Sequence, residues 1–399
     1  MERRKFVAIL AARGAAPAGA RSRLEAGGTV VFQGRRTFPM ALYQVPELGS
    51  RAAGLKAAAE AGFDVVHCAA KRAELDETAA HGLGGWCTVG SVAGGKGEEQ
   101  RRRITALVEG LRDHEALRYW ETEDEPSYQW KKAGPRVRPE AIRETYALLR
   151  RLDPSRLVYL NHAPANLVST LRQYNPGGDL IATDVYPVIP RGIRPQYALW
   201  PDGRQGDLLN AYISQVGQYA DKMRAVAGPD RAVLMVLQGF AWEMLRDAKE
   251  RDPKMVLYPA REELLFMAVQ SIVHGANGLK WWGLRFTPVE AGLWADLAAV
   301  TKLLRGLGEA LIDRRKVDVQ LEYHDTGHSL DQGVEWTARA LGGETVWMAV
   351  NADPNPVEAT VRGLPAGLEV VWGGRPEKAG NGWRMKLEPF GTAIWRMAR

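Results

Sequence analysis

Cysteine is scarce in this sequence of 399 residues, which contains only Cys68 and Cys87. Two cysteines cannot build a disulfide framework, and these two show no metal-ligand spacing, so no metal is expected. Both follow predicted strands, and a free buried thiol is the expected state of each. Long apolar runs are also absent. No stretch approaches the length of a transmembrane helix, which argues against membrane insertion.

Glycine-rich phosphate loops are missing as well. The residues after Tyr43, where the first predicted strand ends, carry no dinucleotide-binding fingerprint, and no Walker loop occurs elsewhere. We therefore expect no cofactor. The net charge is +6, but the basic residues are scattered. The short clusters at 101–103 and 314–316 are interpreted as solvated surface, so nucleic acid is not expected as a partner. The sequence does not indicate an oligomeric state.

The first residues combine a basic start with the short apolar run 6–12. This arrangement resembles a degenerate secretion signal, with Ala18-Gly19-Ala20 as a small-residue cleavage site. Arg13 interrupts the run, so a secreted or periplasmic location and a cytoplasmic one both stay open. Residues 1–27 are therefore expected to be a signal or a disordered segment.

Strand-like and helix-like segments alternate from residue 38 to residue 311. The predicted strands are residues 38–43, 63–67, 85–89, 116–120, 156–161, 180–184, 232–238 and 278–282. Alternation of this kind implies βαβ units and a parallel sheet. Eight repeats in about 275 residues predict an α/β fold, a closed (β/α)₈ or TIM barrel. We place it at residues 28–315, with a β-hairpin in front of the first strand.

Beyond about residue 317 the helical spacing disappears and short alternating segments are separated by turn signals. This pattern predicts a small antiparallel β-sandwich over residues 316–399. The region lacks a carboxylate cluster, so we expect an accessory domain that docks on the barrel. Four of its tryptophans are interpreted as core and interface residues rather than a sugar-binding face; they are Trp336, Trp347, Trp372 and Trp395.

The fourth predicted strand ends in a dense acidic stretch, Glu121-Thr122-Glu123-Asp124-Glu125-Pro126. Pro126 cannot continue the strand because it has no N–H to donate. Mutually repelling carboxylates are costly and are tolerated on a solvated face or at a functional site. An exposed acidic turn is the ordinary interpretation of such a stretch. The other strand ends favour a functional one.

All strand ends of a barrel face one site, so their polar and aromatic residues are expected to meet. Five of the chain's 13 tryptophans lie near these ends: Trp86, Trp120, Trp242, Trp281 and Trp282. Carboxylates and amides bind sugar hydroxyls, and aromatic rings stack on sugar faces, so the set predicts a carbohydrate ligand. The expected binding residues are Tyr43, His67, Trp86, Trp120, Asn161, Tyr186, Gln238, Trp242, Glu243, Trp281 and Trp282.

The Asp124-Glu125-Pro126 sequence resembles the Asn-Glu-Pro at strand 4 of the clan A glycoside hydrolases. The hairpin before the barrel, Asp184-x-Tyr186-Pro187 at strand 6, and a final domain with a Pro-Phe-Gly turn are similar too. The resemblance implies a glycosidase with Glu125 as the general acid/base. Asp124 and Glu123 are expected to raise the pKa of Glu125 by like-charge repulsion. Asp184 is the preferred partner carboxylate.

The sequence departs from the clan pattern at strand 7, where a nucleophilic glutamate is replaced by Gln238. Three explanations stay open. The nucleophile or base is another carboxylate, Asp184 or Glu243. Alternatively, the reaction is substrate-assisted, with Asp124 orienting the substrate beside Glu125. In the third, the barrel binds carbohydrate without cleaving it.

A different class of barrel enzyme, an aldolase or isomerase, would need a Schiff-base lysine or a metal cluster. Lys280 in strand 8 is the candidate lysine.

Two long loops are expected to wall the site. Residues 185–205 hold four prolines, with Tyr186 and Trp200 expected to face the ligand, and residues 239–258 carry Trp242 and Glu243. Together they predict a pocket or short cleft.

Overall fold

A computed structural model describes residues 21–93, 97–129, 134–190, 210–313, 315, 317–341 and 343–398. Of the segment predicted to be a signal or disordered, residues 1–27, residues 1–20 lie outside the described residues; the prediction is wrong for Ser22–Glu25, which form a β-strand. Most of the loop after Asp184, with Tyr197 and Trp200, also lies outside the described residues. No helix in the described ranges is long and apolar enough to cross a membrane.

An antiparallel sheet of three short strands precedes the barrel: β1 (Ser22–Glu25), β2 (Thr29–Phe32) and β3 (Arg35–Thr37). The predicted hairpin is β2 and β3, and β1 adds a strand that sequence patterning missed. Val30 and Phe32 pack among the side chains of the barrel interior. The small sheet therefore covers the amino-terminal end of the barrel, away from the expected site.

Eight parallel strands close into a barrel, in the order in which they occur in the chain. They are β4 (Met40–Leu42), β5 (Val65–Cys68), β6 (Gly84–Thr88), β7 (Leu117–Glu121), β8 (Leu157–His162), β9 (Leu180–Val185), β10 (Ala232–Gln238) and β11 (Gly278–Trp282). The fold class predicted from the sequence is confirmed.

The helices lie between the strands and cover the barrel. They are α1 (Arg51–Glu60), α2 (Arg72–Ala80), α3 (Gly97–Leu111), α4 (Pro139–Leu152), α5 (Val168–Arg172), α6 (Gln215–Ala227), α7 (Arg261–Val273) and α8 (Leu293–Gly306).

Strand β10 shows how the barrel sorts its residues, because all seven of its side chains are buried. Alternate residues point to opposite faces of a strand. Leu234 and Val236 belong to the cluster inside the barrel, whereas Met235 and Leu237 pack in the layer between strands and helices. This alternation decides which neighbouring residues can reach a ligand inside the barrel.

A cavity of about 610 Å³ lies at the amino-terminal end, between the small sheet, the barrel and α8. Arg35, Arg36, Arg118 and Arg305 contribute to its wall. The Arg305 guanidinium already has protein partners there: it pairs with Asp64 and donates to the Phe38 carbonyl oxygen at 3.1 Å. The cavity lies at the opposite end of the barrel from the carboxyl ends of the strands.

Two four-stranded antiparallel sheets follow the barrel, in the strand orders β12-β15-β18-β17 and β13-β14-β19-β16. Their strands are β12 (Gln320–Tyr323), β13 (Val334–Leu341), β14 (Glu344–Asn351), β15 (Val357–Arg362), β16 (Gly367–Trp372), β17 (Glu377–Ala379), β18 (Gly382–Leu387) and β19 (Thr392–Ala398). Trp347 and Trp395 are fully buried in the sandwich core, with ring centroids 4.3 Å apart. The division at residue 315 stays a prediction.

One face of the sandwich packs on the barrel. Met348 and Ile394 join the hydrophobic core that surrounds the barrel strands. The buried Arg339 guanidinium donates to the carbonyl oxygens of Ala310, Leu311 and Ile272 at 2.9–3.0 Å. Helix α7 is consequently covered on both sides, which explains why its residues from Leu264 to Ile272 are all buried.

A histidine at the end of α7 links the barrel to the sandwich. His274 Nδ1 lies 2.9 Å from Asp221 Oδ1, and its Nε2 lies 2.9 Å from Glu335 Oε2 of the sandwich. Burial disfavours the charged ring, but the two carboxylates outweigh burial and raise the pKa of His274 to about 9. The ring is therefore a cation held between two carboxylates at neutral pH.

This contact predicts a pH-dependent stability. Because the pKa of His274 is raised in the folded state, its stabilising effect is full below pH ~6.5 and is lost as pH rises through about 9. We expect the free energy of unfolding to fall by roughly 2–3 kcal/mol between pH 6 and pH 10 from this group. Urea unfolding of the His274→Gln variant should lack that component. An unchanged pH dependence in the variant would contradict the assignment.

Candidate active site

The carboxyl ends of the barrel strands bring three acidic side chains together. Asn161, at the end of β8, uses a single nitrogen to donate to Asp124 Oδ1 at 3.0 Å and to Asp184 Oδ1 at 2.7 Å. Because both oxygens accept from one nitrogen, they lie less than ~6 Å apart. Asn161, Asp124 and Asp184, which follow three different strands and were expected to lie close together, are joined here by hydrogen bonds.

Glu125 lies next to this pair in an unusual backbone conformation. Its φ is 43°, in the left-handed region that non-glycine residues rarely adopt, and its carbonyl oxygen accepts from Tyr128 N at 3.1 Å. Strain of this kind is typical of functional sites and is maintained by the surrounding structure. Arg136 contributes to that structure by donating to the Asp124 carbonyl oxygen at 2.8 Å.

Burial is the main cause that raises the pKa of Glu125 to about 7, and the neighbouring Asp124 adds to it. Arg136 acts in the opposite direction. The expected contribution of Glu123 is not seen, because its carboxylate accepts from Ser91 and Arg136 and points away from the cluster. A raised pKa leaves Glu125 partly protonated at neutral pH, the state a general acid requires.

The pKa of Asp184 is also raised well above its usual range, by burial, then by Glu125 and Asp124. Asn161 and Tyr186 oppose this effect. The pKa of Asp124 is raised by the surrounding protein and by Glu121, although its side chain reaches solvent at the mouth of the barrel. Three acids so close together bind protons as a group, and protonation of one favours ionisation of the others.

Glu121, a fourth carboxylate, was not selected from the sequence as a site residue. It is buried inside the barrel, where Oε2 accepts from Trp86 Nε1 at 2.9 Å and from Thr88 Oγ1 at 2.6 Å. Because the Thr88 hydroxyl proton is used there, His67 Nε2 donates to Thr88 Oγ1 over 3.0 Å. Burial lowers the pKa of His67 to about 4, so the ring is neutral. Period-2 counting from Tyr119 would have identified Glu121 as inward-facing.

Aromatic side chains form one wall beside the acids. The Tyr186 ring stacks on Trp282 with centroids 5.6 Å apart and meets Phe240 edge-on at 5.0 Å. Trp242 belongs to the same cluster and donates from Nε1 to the Tyr186 carbonyl oxygen at 3.1 Å. The described parts of the two loops therefore pack on each other here. In the adjoining barrel interior the Tyr43 and Tyr159 hydroxyls lie 2.9 Å apart.

Four residues that were expected to contact ligand have side chains engaged in other contacts: Trp120, Trp281, Gln238 and Glu243. Trp120 and Trp281 point outward into the layer between strands and helices, because each is one residue out of step with the inward face. Trp120 Nε1 donates to Asp153 Oδ2 at 2.9 Å, and Trp281 packs edge-on against Phe63. These rings have structural roles.

The side chains of Gln238 and Glu243 form hydrogen bonds with backbone groups of the loops. Gln238 is fully buried; its Oε1 accepts from Val188 N at 2.8 Å, and its Nε2 donates to the Val188 and Phe240 carbonyl oxygens at 2.9 and 3.0 Å. Glu243 is fully buried and its Oε1 accepts from Asp252 N at 2.7 Å. The side-chain amide of Gln238 therefore forms a clamp that holds the loop after β9 against the end of β10.

The sequence matches no protein-family model and no curated protein. The fold, however, is similar to solved structures of carbohydrate-active enzymes. An α-amylase from Geobacillus thermoleovorans, complexed with acarbose, is 10% identical over 92% of this chain and 100% of its own, with a TM-score of 0.56. The β-galactosidase from the psychrophilic Marinomonas ef1 is 11% identical over 90% and 100%, with a TM-score of 0.57.

A third similar structure is the trehalose-6-phosphate hydrolase of Bacillus licheniformis, 8% identical over 91% of this chain and 99% of its own, with a TM-score of 0.52. Identities this low concern the fold alone. The chain thus has the fold of (β/α)₈-barrel glycoside hydrolases that carry a C-terminal β-sandwich.

The clamp predicts that Gln238→Ala destabilises the protein. The change leaves the buried Val188 and Phe240 backbone groups without a partner, which should cost about 1–3 kcal/mol in the free energy of unfolding. Urea unfolding measures this cost, with Gln173→Ala on the exposed surface as control. Unchanged stability combined with weakened glycan binding would instead make Gln238 a ligand-binding residue.

Proposed function

We propose that this protein is a glycoside hydrolase in which Glu125 is the general acid/base and Asp184 is the partner carboxylate. The observation that carries the proposal is the shared Asn161 amide, which holds Asp124 and Asp184 within one carboxylate cluster beside Glu125. Glycosidases use two carboxyl groups on opposite sides of the scissile bond, and their separation decides the stereochemical outcome. With Asp184 as the nucleophile the reaction would be retaining.

The surroundings support a carbohydrate as the substrate. The wall of Tyr186, Phe240, Trp242 and Trp282 offers apolar ring faces next to the acids. Amide and carboxylate groups supply paired donors and acceptors for hydroxyls. Sugar rings match both kinds of group, because one face carries C–H groups while the rim carries hydroxyls.

The coupled titration of the acids suits the two roles. When Glu125 holds a proton, its repulsion on Asp184 disappears and ionisation of Asp184 becomes easier. Asn161 then donates to the Asp184 carboxylate, which stabilises the charged form. A protonated acid beside an ionised carboxylate is the starting state of a retaining glycosidase.

A substrate-assisted reaction is the second candidate. Two observations favour it: the pKa of Asp184 is raised well above its usual range, and Asp124 is the more solvent-accessible neighbour of Glu125. Here a group of the substrate itself attacks the anomeric carbon, and Asp124 orients that group. This mechanism would require a substrate with a nucleophilic 2-acetamido substituent.

Glu125→Gln should lower kcat on glycosides with poor leaving groups by about 10²–10⁴-fold, because the amide cannot donate the proton. Glu123→Gln is the matched control; it changes a carboxylate of the same loop that is held by Ser91 and Arg136, and should stay within a few-fold of the parent. The assay is product release from a glycoside panel. Retained binding of glycans without hydrolysis in the parent protein would indicate a non-catalytic carbohydrate-binding barrel.

The pH profile follows from the same residue. Glu125 acts in its protonated form, so activity should decline as pH rises through about 7, where this form is lost. A profile with no alkaline limb between pH 6 and pH 8 would remove Glu125 from the role of acid.

Azide rescue distinguishes the two mechanisms. If Asp184 is the nucleophile, Asp184→Gly should lose at least ~10³-fold in activity on every substrate, and azide should restore turnover with an inverted glycosyl azide as product. If the reaction is substrate-assisted, Asp124→Asn should show the larger loss and hydrolysis should be confined to 2-acetamido sugars. Product configuration is read by NMR.

A further inference from the structure

Lys280 lies inside the barrel, below the acids. Strand β11 ends at Trp282, and Lys280 is two residues earlier, so its side chain points to the same inward face. Its side chain is fully buried, and Nζ lies 3.3 Å from the ring centroid of Tyr159 and 3.7 Å from that of Trp86. The rings of Tyr43 and Tyr119 are 4.9 and 5.1 Å away.

This ammonium group has no hydrogen-bond acceptor among the described residues. Aromatic faces attract a cation, but they replace only part of the hydration that burial removes. Burial accordingly lowers the pKa of Lys280 to about 7, and Glu121, Asp184 and Asp124 oppose that shift. An unpaired buried lysine destabilises a fold, so its presence needs a compensating role.

The contacts connect this cation with the acids. The Trp86 ring presents its face to Lys280 Nζ and donates from its edge to Glu121 Oε2 at 2.9 Å. The other oxygen of Glu121 is buried and accepts no hydrogen bond among the described residues. A nearby positive charge favours the ionised form of a carboxyl group, and Lys280 lowers the pKa of Asp124 in this way.

We infer that Lys280 is a positioning residue for the carboxylate cluster: a buried ammonium, held by aromatic rings, that supplies the positive charge facing Glu121 and Asp124. The inference relies on the proposed glycosidase activity only for its effect on catalysis. The titratable groups that face Lys280 are Tyr43 on β4, His67 on β5, Tyr119 and Glu121 on β7, Asp124 in the loop after β7, Tyr159 on β8, and Asp184 on β9.

The same geometry argues against the Schiff-base role that the sequence left open for this lysine. The amine is fully buried, and it is surrounded by the rings of Tyr43 and Tyr159, whose hydroxyls are 2.9 Å apart. A carbonyl substrate would have to displace these rings before it could form an imine. Borohydride trapping with small aldehydes and ketones should therefore leave Lys280 unmodified, and a covalent adduct on Lys280 would overturn the inference.

The decisive experiment measures pKa values directly and needs no substrate. Carbon-13 NMR of labelled lysine should show Lys280 titrating near neutral pH, with the signal assigned by its loss in Lys280→Met. Carbon-13 NMR of labelled aspartate then follows Asp124. In Lys280→Met the pKa of Asp124 should rise by about one unit, a tenfold change in its proton affinity. Lys280→Arg retains the charge and should leave it nearly unchanged, as should the exposed-lysine control Lys302→Met.

The variants also separate charge from packing. Methionine fills the aromatic site without a charge, so Lys280→Met should be at least as stable as the parent at pH 7. If glycosides are cleaved, the acid limb of the pH–activity profile of Lys280→Met should move to higher pH by about one unit, which corresponds to the same tenfold change in proton affinity. A folded Lys280→Met in which Asp124 titrates as in the parent overturns the inference, as does a Lys280 signal that titrates near 10.5 in the parent.

The two proposals can fail independently. Absence of hydrolysis on every glycoside would remove the proposed function but leave the titrations of Lys280 and Asp124 to decide this inference. An unchanged pKa of Asp124 would remove the role of Lys280 while leaving Glu125 and Asp184 as the catalytic pair.

Discussion

The pairing of β11 with β4 is the constraint on which the site depends. Leu279, Lys280 and Trp281 align with Met40, Ala41 and Leu42, and this alignment joins the last barrel strand to the first. Leu279 N donates to the Pro39 carbonyl oxygen at 2.8 Å at the same seam. Closure turns eight separate strand ends into a ring, and only in a ring do side chains from β7, β8 and β9 converge on one volume.

Within that ring, electrostatics and stability are opposed. Carboxyl groups that are buried and close together are hard to ionise, and a buried amine is hard to protonate. The barrel places both kinds of group in one interior, with Asn161 and Trp86 as the donors that connect them. The left-handed backbone at Glu125 adds local strain. Such arrangements cost folding free energy and are characteristic of sites adapted for chemistry.

The rest of the fold supplies the rigidity that this arrangement needs. The small N-terminal sheet covers one end of the barrel, and the sandwich buries the outer face of α7. Gln238 holds Val188, the start of the loop after β9, against strand β10. Gln238, at the end of β10, therefore has a structural role. That role does not conflict with the proposal that carboxylates at other strand ends are catalytic.

Much of the fold could be predicted from local patterns. Strand and helix alternation along residues 38–311 predicted the barrel, and the helical pattern of residues 139–152 predicts a helix with the bounds that α4 has. The short strand β1 was missed, because four residues without apolar alternation carry little signal. The apolar pattern of residues 208–226 predicts a helix over that range, but α6 begins at Gln215.

The positions of the strand ends, and the acidic and aromatic residues that follow them, can be read from the sequence alone, because strand and helix periodicities and proline positions are local properties of the chain. Only the tertiary structure decided which of these side chains face the interior. Trp120 and Glu121 are neighbours, yet one packs against a helix and the other enters the barrel. The same holds for Lys280 and Trp281. The physical reason is that successive side chains of a strand alternate between faces, and closure of the sheet determines which face becomes the interior.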